Sequence, residues 1–116
     1  MPAIGSEASL SLADKATLQA AMQRHVDSQS VDGALLYLDP AGDVQALHPV
    51  TAHPMILSMG PHFVLCFDFR DAKGKDVPVD FYMAKKSMGY VVFHTAVADR
   101  KLLRQLMDSG RVRRVP

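Results

Sequence analysis

Four polar residues in the second half of the chain have side chains suited to chemistry at one site. Asp68 and Asp80 stand between large apolar residues in the stretches FDF and VDF, and Arg70 and His94 fall on the same or a nearby predicted strand. A carboxylate beside an imidazole orients the ring, so Asp80 next to His94 would form a general base. The planar guanidinium of Arg70 would suit an anionic ligand such as a carboxylate. Asp80 and His94 are therefore the candidate catalytic residues.

Alternation along the strands decides which face of the sheet carries these side chains. The first face is apolar, with Phe63, Leu65, Phe67, Phe69, Val77, Val79, Phe81 and Met83. Because a slip of one residue would move every phenylalanine into water, strand pairing leaves both aspartates on the second face. A turn from Lys85 to Gly89 would place Asp80 opposite His94 and Tyr82 opposite Val92. The second face then carries Cys66, Asp68, Arg70, Asp80, Tyr82, Tyr90 and His94.

This second face has three interpretations. As a pocket it would bind a ligand, and the ligand-binding candidates are Asp68, Arg70, Asp80, Tyr82, Tyr90 and His94. As a half-solvated face it would hold cross-strand ion pairs, such as Asp68 with Arg70 or Lys85, each worth a few tenths of to about 1 kcal/mol. As a dimer interface it would use its aromatic and arginine side chains, which are enriched at interfaces.

Other reactive residue types give weaker signals. His48 and His53 lie five apart in LHPVTAHP, but a zinc site needs three or four ligands in one geometry, so we predict no metal and no cofactor. Cys66, mid-strand between apolar residues, is predicted to be a buried small hydrophobe rather than a nucleophile. The sequence has no G-x-S-x-G elbow and no glycine-rich phosphate loop.

The elements that position these residues begin and end with a helix. Ser11 is suited to cap the first helix, whose apolar stripe of Leu18, Met22 and Val26 ends near residues 27–30. Asp99 is suited to cap the last helix, and Gly110 to end it. Between them the apolar period changes to two. The predicted strands are ALLYL, VQALH, MILSM, FVLCFDFR, VPVDFYMA and YVVFHTAV.

Short turns between successive strands predict antiparallel pairing. Two helices with one apolar stripe each must bury it on the sheet, and we expect both on the first face. The sequence therefore predicts one α+β domain over residues 11–110, with a curved, mostly antiparallel five- to six-stranded sheet. Residues 1–10 are predicted to be a flexible N-terminus and residues 111–116 a basic C-terminal tail, either frayed, in a short edge strand or in contact with a polyanion.

In shape this order of elements resembles cystatin-like and NTF2-like domains, in which a long N-terminal helix packs against a bent meander. The hairpin YLDPAGDVQALHP also resembles part of a PAS or Cache sensor domain. Those sensor folds place helices between the early and late strands, and none is predicted here. Because such folds host unrelated functions, the resemblance implies a shape and no activity.

Composition narrows the function classes. Thirteen basic and twelve acidic residues among 116 give a net charge of +1, without the basic excess of a nucleic-acid binder. The single cysteine allows no intramolecular disulfide, and no stretch is long and apolar enough to span a membrane. No signal peptide is visible, and the compartment stays open: the protein is cytoplasmic by the sequence as given, and exported or periplasmic if a leader has been removed.

No complete catalytic set emerges from these residues. We therefore expect a non-enzymatic domain that binds a partner or a second copy of itself through its sheet, as a homodimer. The alternative is a small-molecule binder or a lyase- or isomerase-type enzyme. Its pocket would use Asp68, Arg70, Asp80 and His94, on the second face or between the sheet and the N-terminal helix.

Overall fold

The first element is α1 (Leu12–Gln29), in a computed structural model that describes residues 10–116. Ser11 is its N-cap, as predicted, and its hydroxyl oxygen accepts a hydrogen bond from the Asp14 backbone N–H at 3.0 Å. This bond satisfies one of the amide groups that a first helical turn leaves free. The predicted flexible segment, residues 1–10, lies outside the described residues except for Leu10, which packs against the core.

The described strands form one antiparallel sheet, in which six strands follow each other in chain order. They are β1 (Ser30–Val31), β2 (Ala34–Leu38), β3 (Val44–Met59), β4 (His62–Arg70), β5 (Asp76–Lys86), β6 (Gly89–Val97) and β7 (Arg113–Arg114). Each of β1 to β5 pairs with the next strand in the chain, and β7 pairs with β3. A second helix, α2 (Arg100–Asp108), lies between β6 and β7 in the chain. The predicted α+β class with a mostly antiparallel sheet is confirmed.

Two hairpin turns have the same geometry, and their sequences DPAGD and DAKGK explain it. Between β2 and β3, the Asp39 side chain accepts hydrogen bonds from two backbone N–H groups of its own turn, at 3.0 and 2.9 Å. Asp71 makes the equivalent bonds between β4 and β5. Gly42 and Gly74 have φ angles of +91° and +82°, a region that costs most other residues strain. Aspartate in the first position and glycine in the fourth therefore stabilise both turns.

The predicted strands VQALH and MILSM are one continuous strand, β3. Its middle residues, His53–Met55, oppose only Cys66 of β4, because the pairing shifts between Ala52 and Ile56. Extra residues on one strand make a bulge, which bends the strand and leaves backbone groups unpaired. The side-chain amide of Gln19 donates hydrogen bonds to two carbonyl oxygens of this bulge, at 3.0 and 3.4 Å.

The predicted register of the β5–β6 hairpin is wrong. Its turn has two residues, Ser87 and Met88, rather than the five from Lys85 to Gly89. Ser87 supports this tight turn with a φ of +53°, which polar side chains tolerate better than branched ones. Further along, Phe93 is an extra residue in β6, so a second bulge lies in this strand.

The changed register separates residues that the sequence placed together. Asp80 pairs with Ala96, not with His94, and His94 pairs with Tyr82. Tyr90, predicted on the second face, packs instead against the first-face core, with its ring 5.9 Å from that of Phe63. A shorter turn shifts every residue of β6 before the bulge, which is why Tyr90 changes face.

The two helices pack on opposite faces of the sheet, so the prediction that one face carries both is wrong. α1 lies on the first face, where its buried stripe joins the core of phenylalanine and aliphatic residues. α2 lies on the second face, where Leu103 packs with Val64, Tyr82 and Ala96. An apolar stripe demands burial but does not say against which face. Neither described helix is long and apolar enough to cross a membrane.

The residues predicted as a basic tail return to the sheet. Gly110 ends α2 with a φ of +80°, and the backbone N–H groups of Gly110 and Arg111 donate to the carbonyl oxygens of Met107 and Leu106. This C-cap reverses the chain and lets Val112 bury its side chain on the second face. Arg113 and Arg114 then form the short strand β7, which was one of the three alternatives for this segment.

Candidate functional site

Asp68 forms a hydrogen bond with His53, a residue that the sequence singled out only as a candidate metal ligand. His53 Nε2 lies 2.9 Å from Asp68 Oδ2, and both side chains are about 40% exposed, at 41% and 39%. The β3 bulge brings His53 to this position, because it adds residues to the strand opposite Cys66. The signal in the sequence was the His-Pro pair in the middle of a strand, where proline disfavours regular pairing.

Arg70 pairs with a different aspartate. Its Nε donates a hydrogen bond to Asp76 Oδ1 at 3.1 Å, and both side chains are well exposed. The two residues face each other across the start of the β4–β5 hairpin. An exposed pair of this kind is worth about 0–1 kcal/mol, and it directs one N–H of the guanidinium that was a candidate anion ligand toward Asp76.

Asp80 is the buried charge of the second face. The residue is only 1% exposed, and Nη1 of Arg100, in the first turn of α2, lies 3.2 Å from its Oδ1. This oxygen has no hydrogen bond from the described residues, so the contact is an ion pair without hydrogen-bond geometry. Burial raises the pKa of Asp80, while the neighbouring Cys66 thiol and the Arg100 charge act in the opposite direction.

Cys66 lies opposite Asp80 on β4 and shares its surroundings. Arg100 Nη1 lies 3.9 Å from Cys66 Sγ. Burial, together with the adjacent Asp80 carboxyl, raises the pKa of the thiol to about 12. The thiolate is therefore rare at neutral pH, and the site lacks the lowered pKa that a nucleophilic cysteine needs.

Tyr82 and His94 lie side by side, with ring centroids 5.3 Å apart. Tyr82 is buried, and its hydroxyl has no hydrogen-bond partner among the described residues. Burial and the nearby Asp80 carboxyl raise the pKa of Tyr82 to about 12. His94 lies at the exposed border of the second face and has a direct neighbour in Tyr82 rather than in Asp80. Asp80 and His94 therefore do not form the predicted pair of carboxylate and imidazole.

A pocket of about 280 Å³ opens beside the bulge of β3, underneath α2. Arg100, Leu103 and Met107 of α2 line one side of it, at the spacing of one helix face. His53, Cys66 and Arg114 contribute from the sheet, together with Met55 and Leu57. Arg100 was not among the predicted site residues, although it precedes Leu103 by three positions and so shares its face.

The outer edge of the sheet at β6 exposes large apolar side chains. Among the described strands, β6 pairs with β5 alone. Met88, Val91 and Phe93 are 98%, 40% and 52% exposed, and we call these three residues the β6 patch. The Phe93 ring contacts the His62 ring at a centroid distance of 5.3 Å, which fixes the patch at the border of the second face. The C-terminal helix does not cover this border, because α2 packs on Val64, Tyr82 and Ala96.

Comparisons with known proteins leave the family open. The chain matches no protein family model, no curated protein and no solved structure. The cystatin-like or NTF2-like shape stays a prediction. Among the described residues, no group of three or more His, Cys, Asp or Glu side chains is placed to hold a metal ion.

Proposed function

We propose that the protein is a non-enzymatic interaction domain that forms a homodimer through the β6 edge of its sheet. The observation that carries the proposal is the β6 patch, where Val91 and Phe93 are exposed beside an unpaired strand edge. An unpaired strand offers a row of free N–H and C=O groups to any matching strand. A second copy of β6 supplies such a strand and covers the apolar side chains.

The sequence of β6 lacks the residue types that prevent edge pairing, and the bulge at Phe93 is its one protective feature. Natural proteins protect edge strands with lysine, proline, inward charges, β-bulges or very short length. β6 has nine residues, GYVVFHTAV, without a lysine, proline, aspartate or glutamate. The half of β6 before the bulge therefore presents an apolar edge that a further strand can pair with.

The backbone of β6 limits the registers that such a dimer can use, and we propose one of them. In a two-residue hairpin the flanking residues, here Lys86 and Gly89, exchange hydrogen bonds, and every second pair along the strands does the same. Tyr90 and Val92 therefore direct their N–H and C=O groups away from β5, toward the free edge. Antiparallel pairing of Tyr90 with Val92 of a second copy places Val91 opposite itself on a two-fold axis.

This register has a direct chemical test. Val91 and its copy would form a non-hydrogen-bonded pair with Cα atoms about 4.5 Å apart, within the range in which a disulfide forms. We expect Val91→Cys, in a Cys66→Ala background, to form a covalent dimer upon mild oxidation. Val44→Cys, at an exposed valine of β3, is the matched control and should stay monomeric on a non-reducing gel. A strict monomer by light scattering at high protein concentration would overturn the proposal.

The alternative, a small-molecule binder or a lyase- or isomerase-type enzyme, has less support. Asp68, Arg70 and Asp80 pair with His53, Asp76 and Arg100, respectively, and His94 packs on Tyr82. Side chains held in four separate interactions do not converge on one substrate atom, as a catalytic site requires. The pocket beside the β3 bulge is the place on the second face where a small ligand would fit.

A further inference from the structure

A second opening in the molecule lies between β2 and the C-terminal half of β6. This cleft has a volume of about 570 Å³, within the range of roughly 300–1,000 Å³ that is usual for ligand sites. Four consecutive residues of each strand line it, Leu35–Leu38 and His94–Val97. His25 and Phe81 lie at its apolar floor, with the His25 ring at 5.6 Å from the Phe81 ring.

Consecutive lining residues show that the cleft meets both strands at their edges. Neighbouring side chains of a strand point to opposite faces, so a pocket on one face touches every second residue. A pocket that touches four residues in a row is bounded by the edge of the strand and its backbone. The sheet curves far enough around α1 for its two free edges to border the same cleft.

Hydrogen bonds of the neighbouring residues tell which backbone groups face the cleft. The Ala98 N–H donates to the Pro78 carbonyl oxygen at 2.8 Å, so the backbone groups of Ala98, Ala96 and His94, up to the bulge at Phe93, point toward β5. Thr95 and Val97 therefore direct their backbone groups into the cleft.

On the opposite side, the Asp39 N–H donates to the Asp43 carbonyl oxygen at 2.9 Å. The same alternation then directs the backbone of Leu36 and Leu38 away from β3. β1 pairs only with Ala34 and Leu35, so it leaves this part of the β2 edge free. Within residues 10–116, two rows of backbone groups without a strand partner thus border one slot.

We propose that this slot binds an extended peptide with a lysine or arginine side chain, which pairs as an additional strand with β2, β6 or both. Strand addition to a free edge is a common mode of peptide recognition, in which main-chain hydrogen bonds give affinity and alternate side chains give specificity. The apolar floor around Phe81 takes an apolar side chain of the peptide. The carboxylates that line the slot are the reason why we expect a basic residue in the peptide.

The charges that line the cleft are carboxylates. Asp39 and Asp99 both line it, and no lysine or arginine of the described residues does. The hydrogen bond from Gln45 at 2.8 Å lowers the pKa of Asp39, and Asp39 is therefore ionised at neutral pH. Burial lowers the pKa of His25, which keeps that ring neutral. A basic side chain at the rim complements this charge, and an acidic one is repelled.

The slot is distinct from the proposed dimer edge. The bulge at Phe93 divides β6 into a first half, which carries the β6 patch, and a second half, which borders the slot. A bulge bends its strand, so the two halves face different directions. Peptide binding therefore does not require the dimer.

A selection from a random linear heptapeptide library tests the proposal on the full chain. We expect enriched peptides to alternate apolar residues and to contain lysine or arginine. N-methylation of alternate peptide nitrogens should weaken binding at least tenfold, because it removes main-chain donors. In NMR titrations the amide signals of Leu36, Leu38, Thr95 and Val97 should shift most.

Two variants of the protein complete the test. Thr95→Pro removes an N–H that points into the slot and should abolish binding, since an unpaired edge position tolerates proline. Asp99→Asn keeps the helix cap but removes a charge. This variant should bind basic peptides several-fold more weakly. Val91→Lys should leave peptide binding unchanged. A selection without enrichment, N-methylated peptides that bind equally well, or shifts confined to other residues would overturn the proposal.

Discussion

Arg100 Nη1 lies 3.2 Å from Oδ1 of Asp80, so a residue in the first turn of α2 neutralises a carboxylate in the middle of β5. Asp80 is almost completely buried, whereas the Arg100 side chain is 40% exposed. The contact joins α2 to the second face of the sheet beside the Leu103 cluster. A buried carboxylate that loses its partner keeps its desolvation penalty, which makes this pair a sensitive point of the fold.

Removal of the guanidinium should therefore destabilise the protein. We expect Arg100→Ala to lower the free energy of unfolding by about 1–3 kcal/mol at pH 7, less than for a fully buried pair because Arg100 reaches solvent. Urea unfolding followed by circular dichroism measures the change. Lys101→Ala, at the exposed next position of the same helical turn, is the control and should change stability by less than about 0.5 kcal/mol. Equal losses in the two variants would contradict the role of the ion pair.

The pH dependence of stability should reveal Asp80. Its pKa is raised in the folded state, so this group favours folding below its unfolded pKa of about 3.9 and loses that contribution as the pH rises through the folded value. Asp80→Asn removes the titration. We expect the free energy of unfolding of the wild type, relative to the variant, to decrease from pH 4 toward neutral pH. A difference that stays constant or increases over this range would refute the prediction.

Cys66 should be almost inert in the folded protein. Its pKa of about 12, against 9.0 for an ordinary thiol, leaves very little thiolate at pH 8. We expect alkylation by iodoacetamide to be at least about 100-fold slower in buffer than in denaturing urea. Mass spectrometry of timed samples measures both rates. Similar rates in the two conditions would mean that the thiol is accessible and ionised.

A charge in the β6 patch should dissociate the dimer. Val91→Lys places two ammonium groups opposite each other on the two-fold axis, a repulsion that natural edge strands use against pairing. We expect sedimentation velocity to show a dimer for the wild type and a monomer for the variant, with unchanged circular dichroism. Val44→Lys, at another exposed valine, should remain dimeric. If both variants dimerise, the interface lies elsewhere.

Local signals in the sequence were sufficient for the ends of the helices and for two turns. Ser11, Asp99 and Gly110 cap the helices as predicted. The side chains of Ser11 and Asp99 accept hydrogen bonds from the adjacent helical turn, and Gly110, without a side chain, adopts a positive φ. The aspartate and glycine of DPAGD act in the same way on the β2–β3 hairpin. These interactions depend on neighbours in sequence alone.

The site could not be predicted with the same success, since it depends on distant residues. The tight turn at Ser87 and the bulge at Phe93 together set which residue faces Asp80, and neither has a strong sequence signal. The face chosen by α2 decides whether Asp80 is covered, and an apolar stripe fits either face. Arg100 consequently became visible as the partner of Asp80 only in three dimensions.

The uninterrupted meander has a consequence for the speed of folding. Each strand from β1 to β5 pairs with its successor, so most of the sheet grows by local hairpin closure with short loops. The pairing of β7 with β3 and the packing of α1 on β6 join residues far apart in the chain and close the largest loops. Low contact order in the meander favours rapid zipping of the hairpins, after which the two ends of the chain dock onto a sheet that already exists.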